Sequence, residues 1–183
     1  FISQRNVNQQ RILDFTSHTV RALDNVLLSL ENHRNVLQPL VGQPCLQVQL
    51  ALRQQAAILQ TVRSIALIED GILYCSSIFG SRSEPVRDVL QELPASTAKL
   101  ILSTDQWLLK GSPVLIQWYP VSQDGEDGVV EIINIDLIAR MILEPQRPLI
   151  NDVVLTVGNR FLRYGQRVTD SLTFDEESAL FQQ

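Results

Sequence analysis

The chain has two cysteines, Cys45 and Cys75, and two histidines, His18 and His33. Such residues can hold a metal, supply a nucleophile or exchange a disulfide. A structural zinc site needs four ligands, usually closely spaced. His18 and His33 lie 15 positions apart in one helical stretch, about 22 Å along its axis at 1.5 Å per residue, so they cannot share an ion. The Cys-x-x-Cys spacing of a thioredoxin-like pair is absent. A cysteine nucleophile needs an imidazole beside it, and nothing in the pattern brings one there. Two readings stay open: a disulfide, or two buried, unreactive thiols. If joined, the cysteines would close a loop of about 30 residues, worth roughly 3.5–4 kcal/mol in the chain-entropy model. A whole domain has only about 5–15 kcal/mol. Such bonds persist in oxidising compartments such as the periplasm.

Other chemistry is sparsely represented. There is no phosphate loop, no His-Glu-x-x-His and no Gly-x-Ser-x-Gly. The acidic pairs Asp124 with Asp127 and Glu176 with Glu177 fall in apparent loops or a tail, where solvated carboxylates are expected. No catalytic residue, metal ligand set or cofactor is therefore expected in these 183 residues. The formal charge is −5, and the 13 arginines are scattered singly; without a basic stripe, nucleic acid is an unsuitable partner. Trp107, Trp118, Tyr119, Arg140 and Tyr164 could line a small-molecule pocket, although core or surface packing is the plainer reading of these residues.

The elements that must position the cysteines follow from periodicity and breakers. Residues 5–37 read as one long helix, with Ile12, Phe15, Leu23, Val26, Leu30 and Leu37 on its apolar stripe. It contains neither Pro nor Gly between Asn6 and Gln38, exceeds the usual globular length, and is expected to continue a membrane helix upstream. Its stripe is expected either to pack on the chain's own sheet or to pair with a second copy. Pro39, Gly42 and Pro44 break it, and a second helix is expected over 46–63, which leaves Cys45 in the preceding loop. Ser64–Ile68 and Ile72–Ser77 flank Asp70-Gly71 as a β-hairpin. A short helix fits Pro85–Leu93, and strands fit 99–103, 114–121 and 129–135, the last two joined by the polar turn 122–128. Asp136 is expected to cap a helix over 137–143, with Pro145 and Pro148 beyond it. Strands at 153–157 and 160–164 flank Gly158-Asn159. The sum is a single α+β domain over 1–183, a long N-terminal helix packed on an antiparallel sheet of hairpins, similar to the Cache/PDC-type extracellular sensors. No run of about 18 apolar residues occurs, and both ends are expected to be cuts in a longer chain.

The stretch Val62–Gly80, with Glu69-Asp70-Gly71 and Cys75-Ser76-Ser77 inside it, together with the upstream Cys45 and Leu52-Arg53, resembles the CSS-motif domain, the periplasmic sensor of a group of bacterial cyclic-di-GMP phosphodiesterases. That resemblance implies two flanking transmembrane helices, a cytoplasmic EAL domain and a periplasmic location on the inner membrane. It also implies that Cys45 and Cys75 form a switch pair. In the family, the DsbA–DsbB system oxidises the pair and restrains the phosphodiesterase, while the free-thiol form is more active and open to periplasmic proteases. Ser76 and Ser77 complete the motif without an evident chemical role; a strand end or turn in which the hydroxyls bond local backbone is expected. The expected mechanism is that the disulfide tethers the second helix to the hairpin, and that its loss loosens the sheet against the long helix. The competing expectation is a small-molecule sensor in which the disulfide is a staple.

Overall fold

A computed structural model describes residues 2–108, 110–143, 152–165 and 173–175. Helix α1, Ile2–Leu37, is as long as the absence of Pro and Gly allows. Among the described side chains, its stripe is buried in the second half of the helix. Leu30, His33 and Leu37 are buried at spacings of three and four, with Ala22, Leu23, Val26 and Leu27 beside them. Leu13 and Val20 are exposed, and the side chains of Ile12 and Phe15 lie outside the described residues. A 3-10 turn, Gln38–Leu40, carries Pro39, and Gly42 adopts a φ of +83°, a left-handed geometry that Gly accepts without strain.

Helix α2, Cys45–Ile58, buries Cys45, Val48 and Leu52, the i, i+3, i+7 pattern of one face. It starts one residue earlier than the sequence suggests, so Cys45 belongs to its first turn. It also stops well before residue 63. Val62 and Arg63 instead begin β1, Val62–Glu69, because Val62 pairs with Ile133 across the sheet.

The main sheet is formed by β1, β2 (Ile72–Ser76), β3 (Gly80–Pro85), β4 (Lys99–Thr104), β5 (Pro113–Pro120) and β6 (Gly128–Ile133). Their order is β3-β2-β1-β6-β5-β4, and every pair is antiparallel. The β1–β2 hairpin turns on Asp70 and Gly71 with φ of 50° and 71°, the two positive values of a type I′ turn. Successive residues alternate between the two faces. Ile65, Leu67, Leu115, Tyr119, Val129 and Ile133 meet α1 and α2 in one core. Ala66, Ile68, Val114, Ile116, Trp118, Val130 and Ile132 form a second core on the other face, under Val86, Leu90 and Leu93. Burial on both faces explains why the strands read as nearly continuous apolar runs.

Two short elements differ from expectation. Helix α3 covers only Val86–Val89, because Leu90 and Leu93 leave the helical path to fill the second core. Helix α4, Ile135–Leu143, is capped by Asn134, whose Oδ1 accepts from the Leu137 amide at 3.2 Å; Asp136 pairs with Arg140 instead, at 3.5 Å. Pro145 and Pro148 lie outside the described residues. The Gly158-Asn159 hairpin forms β7 (Asp152–Val157) and β8 (Arg160–Gly165), which join β9 (Thr173–Asp175) in a separate three-stranded sheet. Together these give an α+β fold with a long N-terminal helix on an antiparallel sheet.

Candidate functional site

Three local features bring Cys45 and Cys75 together. Pro44, at the cap position, fixes the entry into α2 and places Cys45 on the buried side of its first turn. On β2 the register slips: Leu67 faces Cys75, but Ile68 faces Leu73, leaving Tyr74 as the extra residue of a bulge. The bulge breaks the alternation, so Tyr74 and Cys75 both join the helix-side core while Leu73 joins the other. Tyr74 then holds the incoming loop: its hydroxyl accepts from the Gly42 amide at 3.0 Å and donates to the Leu40 carbonyl at 3.3 Å. The cysteine Cα atoms lie 5.2 Å apart and the sulfurs are bonded, within the separation a disulfide requires. Both residues are buried.

The serines of the motif are backbone anchors. Ser77 Oγ accepts from the Ile65 amide at 3.0 Å, and the Ser77 amide donates to the Ile65 carbonyl at 2.8 Å. The Ser77 carbonyl accepts from Arg53 Nε of α2 at 3.1 Å. Ser76 Oγ accepts from the Ile78 amide at 3.3 Å. Gly80 ends this turn at a φ of +72°, where a Cβ would sit 2.6 Å from the Gln49 amide nitrogen. The helix is thus held to the β2–β3 turn by the disulfide at its start, by Arg53 further along, and by close packing at Gly80.

Among the described residues, the side chains that could have lined a pocket do not converge on one. Trp118 and Tyr119 are consecutive on β5 and so point to opposite faces. Trp118 donates to the Ala95 carbonyl at 2.7 Å, Arg140 is exposed on α4, and the side chain of Tyr164 lies outside the described residues. Trp107 borders a cavity of about 20 Å³ with Ser64, Ser76 and Asp105, room for a single water. Asp124 accepts from Ser122 Oγ at 2.6 Å, which holds its carboxyl below the usual range, and Asp127 accepts from the Asp70 amide at 2.8 Å. Both carboxylates therefore shape turns. Glu176 and Glu177 lie outside the described residues. Among the described residues no cluster of three or more His, Cys, Asp or Glu side chains is placed to hold a metal.

Sequence reasoning missed Tyr74, and it missed a buried polar group formed by His33, Gln55 and Glu131. The available signal was Glu131 itself, a charge in the middle of Val129-Val130-Glu131-Ile132-Ile133.

Residues 8–180 match the model of the CSS motif domain associated with EAL. The chain belongs to this family. The CSS-motif domain is 55% identical over 182 residues to the protein named "Probable cyclic di-GMP phosphodiesterase PdeD" of Escherichia coli (strain K12); the match covers all of this chain and 34% of PdeD. PdeN of the same organism, similarly named, is 25% identical over 146 residues, covering 76% of this chain and 27% of PdeN. The chain thus spans about a third of the length of these relatives. A domain of a sensory box/GGDEF family protein from Vibrio parahaemolyticus aligns with a TM-score of 0.47 and 12% identity, over 91% of this chain and 94% of that one.

Proposed function

We propose that this CSS-motif domain is a periplasmic redox sensor that restrains a cyclic-di-GMP phosphodiesterase of the EAL type while Cys45 and Cys75 are joined, and releases it when they are reduced. The observation that carries the reading is the position of the bond. It ties the first turn of α2 to the bulge of β2, inside the same core that receives Leu30 and Leu37 of α1. Breaking it removes a constraint worth roughly 3.5–4 kcal/mol on the chain-entropy scale, a large part of a domain's stability. Loosening α2 then loosens the surface on which α1 rests. The long helix, continuing into a transmembrane segment, passes the change to the catalytic domain; this is a two-state element biased by a covalent bond.

In this scheme residues 1–183 are one sensory domain between two transmembrane helices of an inner-membrane protein, and pairing of α1 with a second copy is part of the signalling state. DsbA accepts the two electrons and two protons of the Cys45 and Cys75 thiols as the bond forms, and DsbB reoxidises DsbA. Periplasmic proteases act on the loosened, reduced form. Neither DNA nor RNA is a partner.

The test is phosphodiesterase activity of the whole membrane protein in cells with an intact oxidation system. Cys45→Ala, Cys75→Ala and the double variant should each show higher activity per molecule than the wild type, to similar extents, and the wild type should match them when DsbA is removed. Activity that is the same in all these backgrounds would leave the bond as a staple.

A further inference from the structure

We infer that His33 is held as an imidazolium between Glu131 and Gln55, and that this CSS-motif domain therefore also senses proton activity, α1 being latched to the sheet only while that proton is present. His33 lies on the buried stripe of α1, between Leu30 and Leu37. Its Nδ1 is 2.7 Å from Glu131 Oε1 on β6, and its Nε2 is 2.7 Å from Gln55 Oε1 on α2. Both ring nitrogens therefore face oxygen acceptors. A neutral imidazole has one N–H and the imidazolium has two, so with the Gln55 oxygen facing Nε2 the charged form satisfies both contacts, and a neutral ring does so only if the Gln55 amide turns to present its N–H.

The surroundings favour the same state. Glu131 is wholly buried, and its register partners are Ile65 on β1 and Gln117 on β5. Neither can neutralise a carboxylate. Glu131 Oε2 and Gln117 Oε1 have no hydrogen-bond partner among the described residues, and the Tyr119 hydroxyl faces Glu131: burial, then the charge and side-chain contact of Glu131, push its pKa far up, which keeps the phenol protonated. The other charges nearby are Arg34 of α1, whose guanidinium lies 5.7 Å from the centre of the Tyr119 ring, and Arg53 of α2, which is turned to the Ser77 carbonyl. His33 is the cation in hydrogen-bond contact with Glu131, and it comes from α1. Withdrawing the proton removes the positive charge beside the buried Glu131 carboxylate, a costlier state than a buried pair. The hydrogen bond from Glu131 raises the His33 pKa above the ordinary 6.5, with its charge and the Gln55 contact adding to it, while burial opposes. The sign follows from linkage. The latch is at full strength below the ordinary imidazole value and is lost as pH rises through the raised one. Between the two, the equilibrium for releasing α1 rises by up to about tenfold per pH unit.

This is independent of the redox reading, and the test keeps the disulfide intact. The 183-residue chain is labelled with 15N-histidine and followed from pH 5 to 9, the exposed His18 giving a second imidazole signal. Both His33 nitrogens should be protonated at pH 6. Above the ordinary imidazole value, amides of α1 between Val26 and Leu37 should exchange faster, after correction for intrinsic pH dependence, approaching tenfold per unit. In His33→Gln that excess should vanish. A His33 neutral at pH 6 and protonated at Nδ1 alone overturns the inference, as does α1 exchange whose corrected rate is flat across the range in the wild type.

Discussion

Ser76 and Ser77 are adjacent and alike in the sequence, yet their hydroxyls do unequal work. Ser77 Oγ supplies the acceptor for the Ile65 amide in the middle of the helix-side core. With Ser77→Ala that buried donor is orphaned, and the expected loss is about 1–3 kcal/mol. Ser76→Ala frees only the half-buried Ile78 amide, which water can reach, so a loss below about 1 kcal/mol is expected. Urea unfolding of the oxidised variants measures both. Equal losses would mean that the Ser77 bond is not the anchor. Gly80→Ala combines a left-handed φ with a Cβ pressed on Gln49. The Gln49 amide can swing away, so the backbone sets the cost, about 1–2 kcal/mol. The turn itself was readable from serine chemistry. Its partners were not, because Arg53 and Ile65 reach it only through the tertiary fold.

At the scale of elements, α2 and β2 form the unit that the disulfide closes. Reduction should lower the unfolding free energy by roughly 3.5–4 kcal/mol, read from urea melts with and without a thiol reductant. Because both cysteines are buried, a reductant must wait for the first turn of α2 to open. The reduction rate should therefore level off at high reductant, at the opening rate of that turn; a rate that stays linear in reductant would show the sulfurs to be directly accessible. Asn134→Ala removes the cap of α4 and should cost about 1 kcal/mol, whereas Asp136→Ala should cost less. Local pattern placed the helices and hairpins well, since Asp70-Gly71, Gly158-Asn159 and the prolines act over a few residues. It failed where a distant strand decides the outcome. Val62 has a strand partner in Ile133, and no local signal at residues 59–63 reports that pairing.

At the scale of the molecule, the sheet has a core on each face, and the disulfide lies in the one under α1 and α2. The face under Val86, Leu90 and Leu93 holds the hairpins together, while the face under α1 and α2 carries the disulfide, the Tyr74 clamp and the His33–Glu131 pair. Losing the bond or the proton should therefore release helices from a sheet that persists. The sequence marks Glu131 as a charge inside an apolar strand, but not its partner His33, which lies 98 residues away and reaches it only through the tertiary fold. Hydrogen exchange of the oxidised and reduced chain, residue by residue at one pH, tests the redox account most directly. The expected result is faster exchange in α2 and in α1 from Val26 to Leu37 on reduction, with β4, β5 and β6 little changed. Equal protection of α1 in the two states, or uniform loss across the sheet, would contradict it.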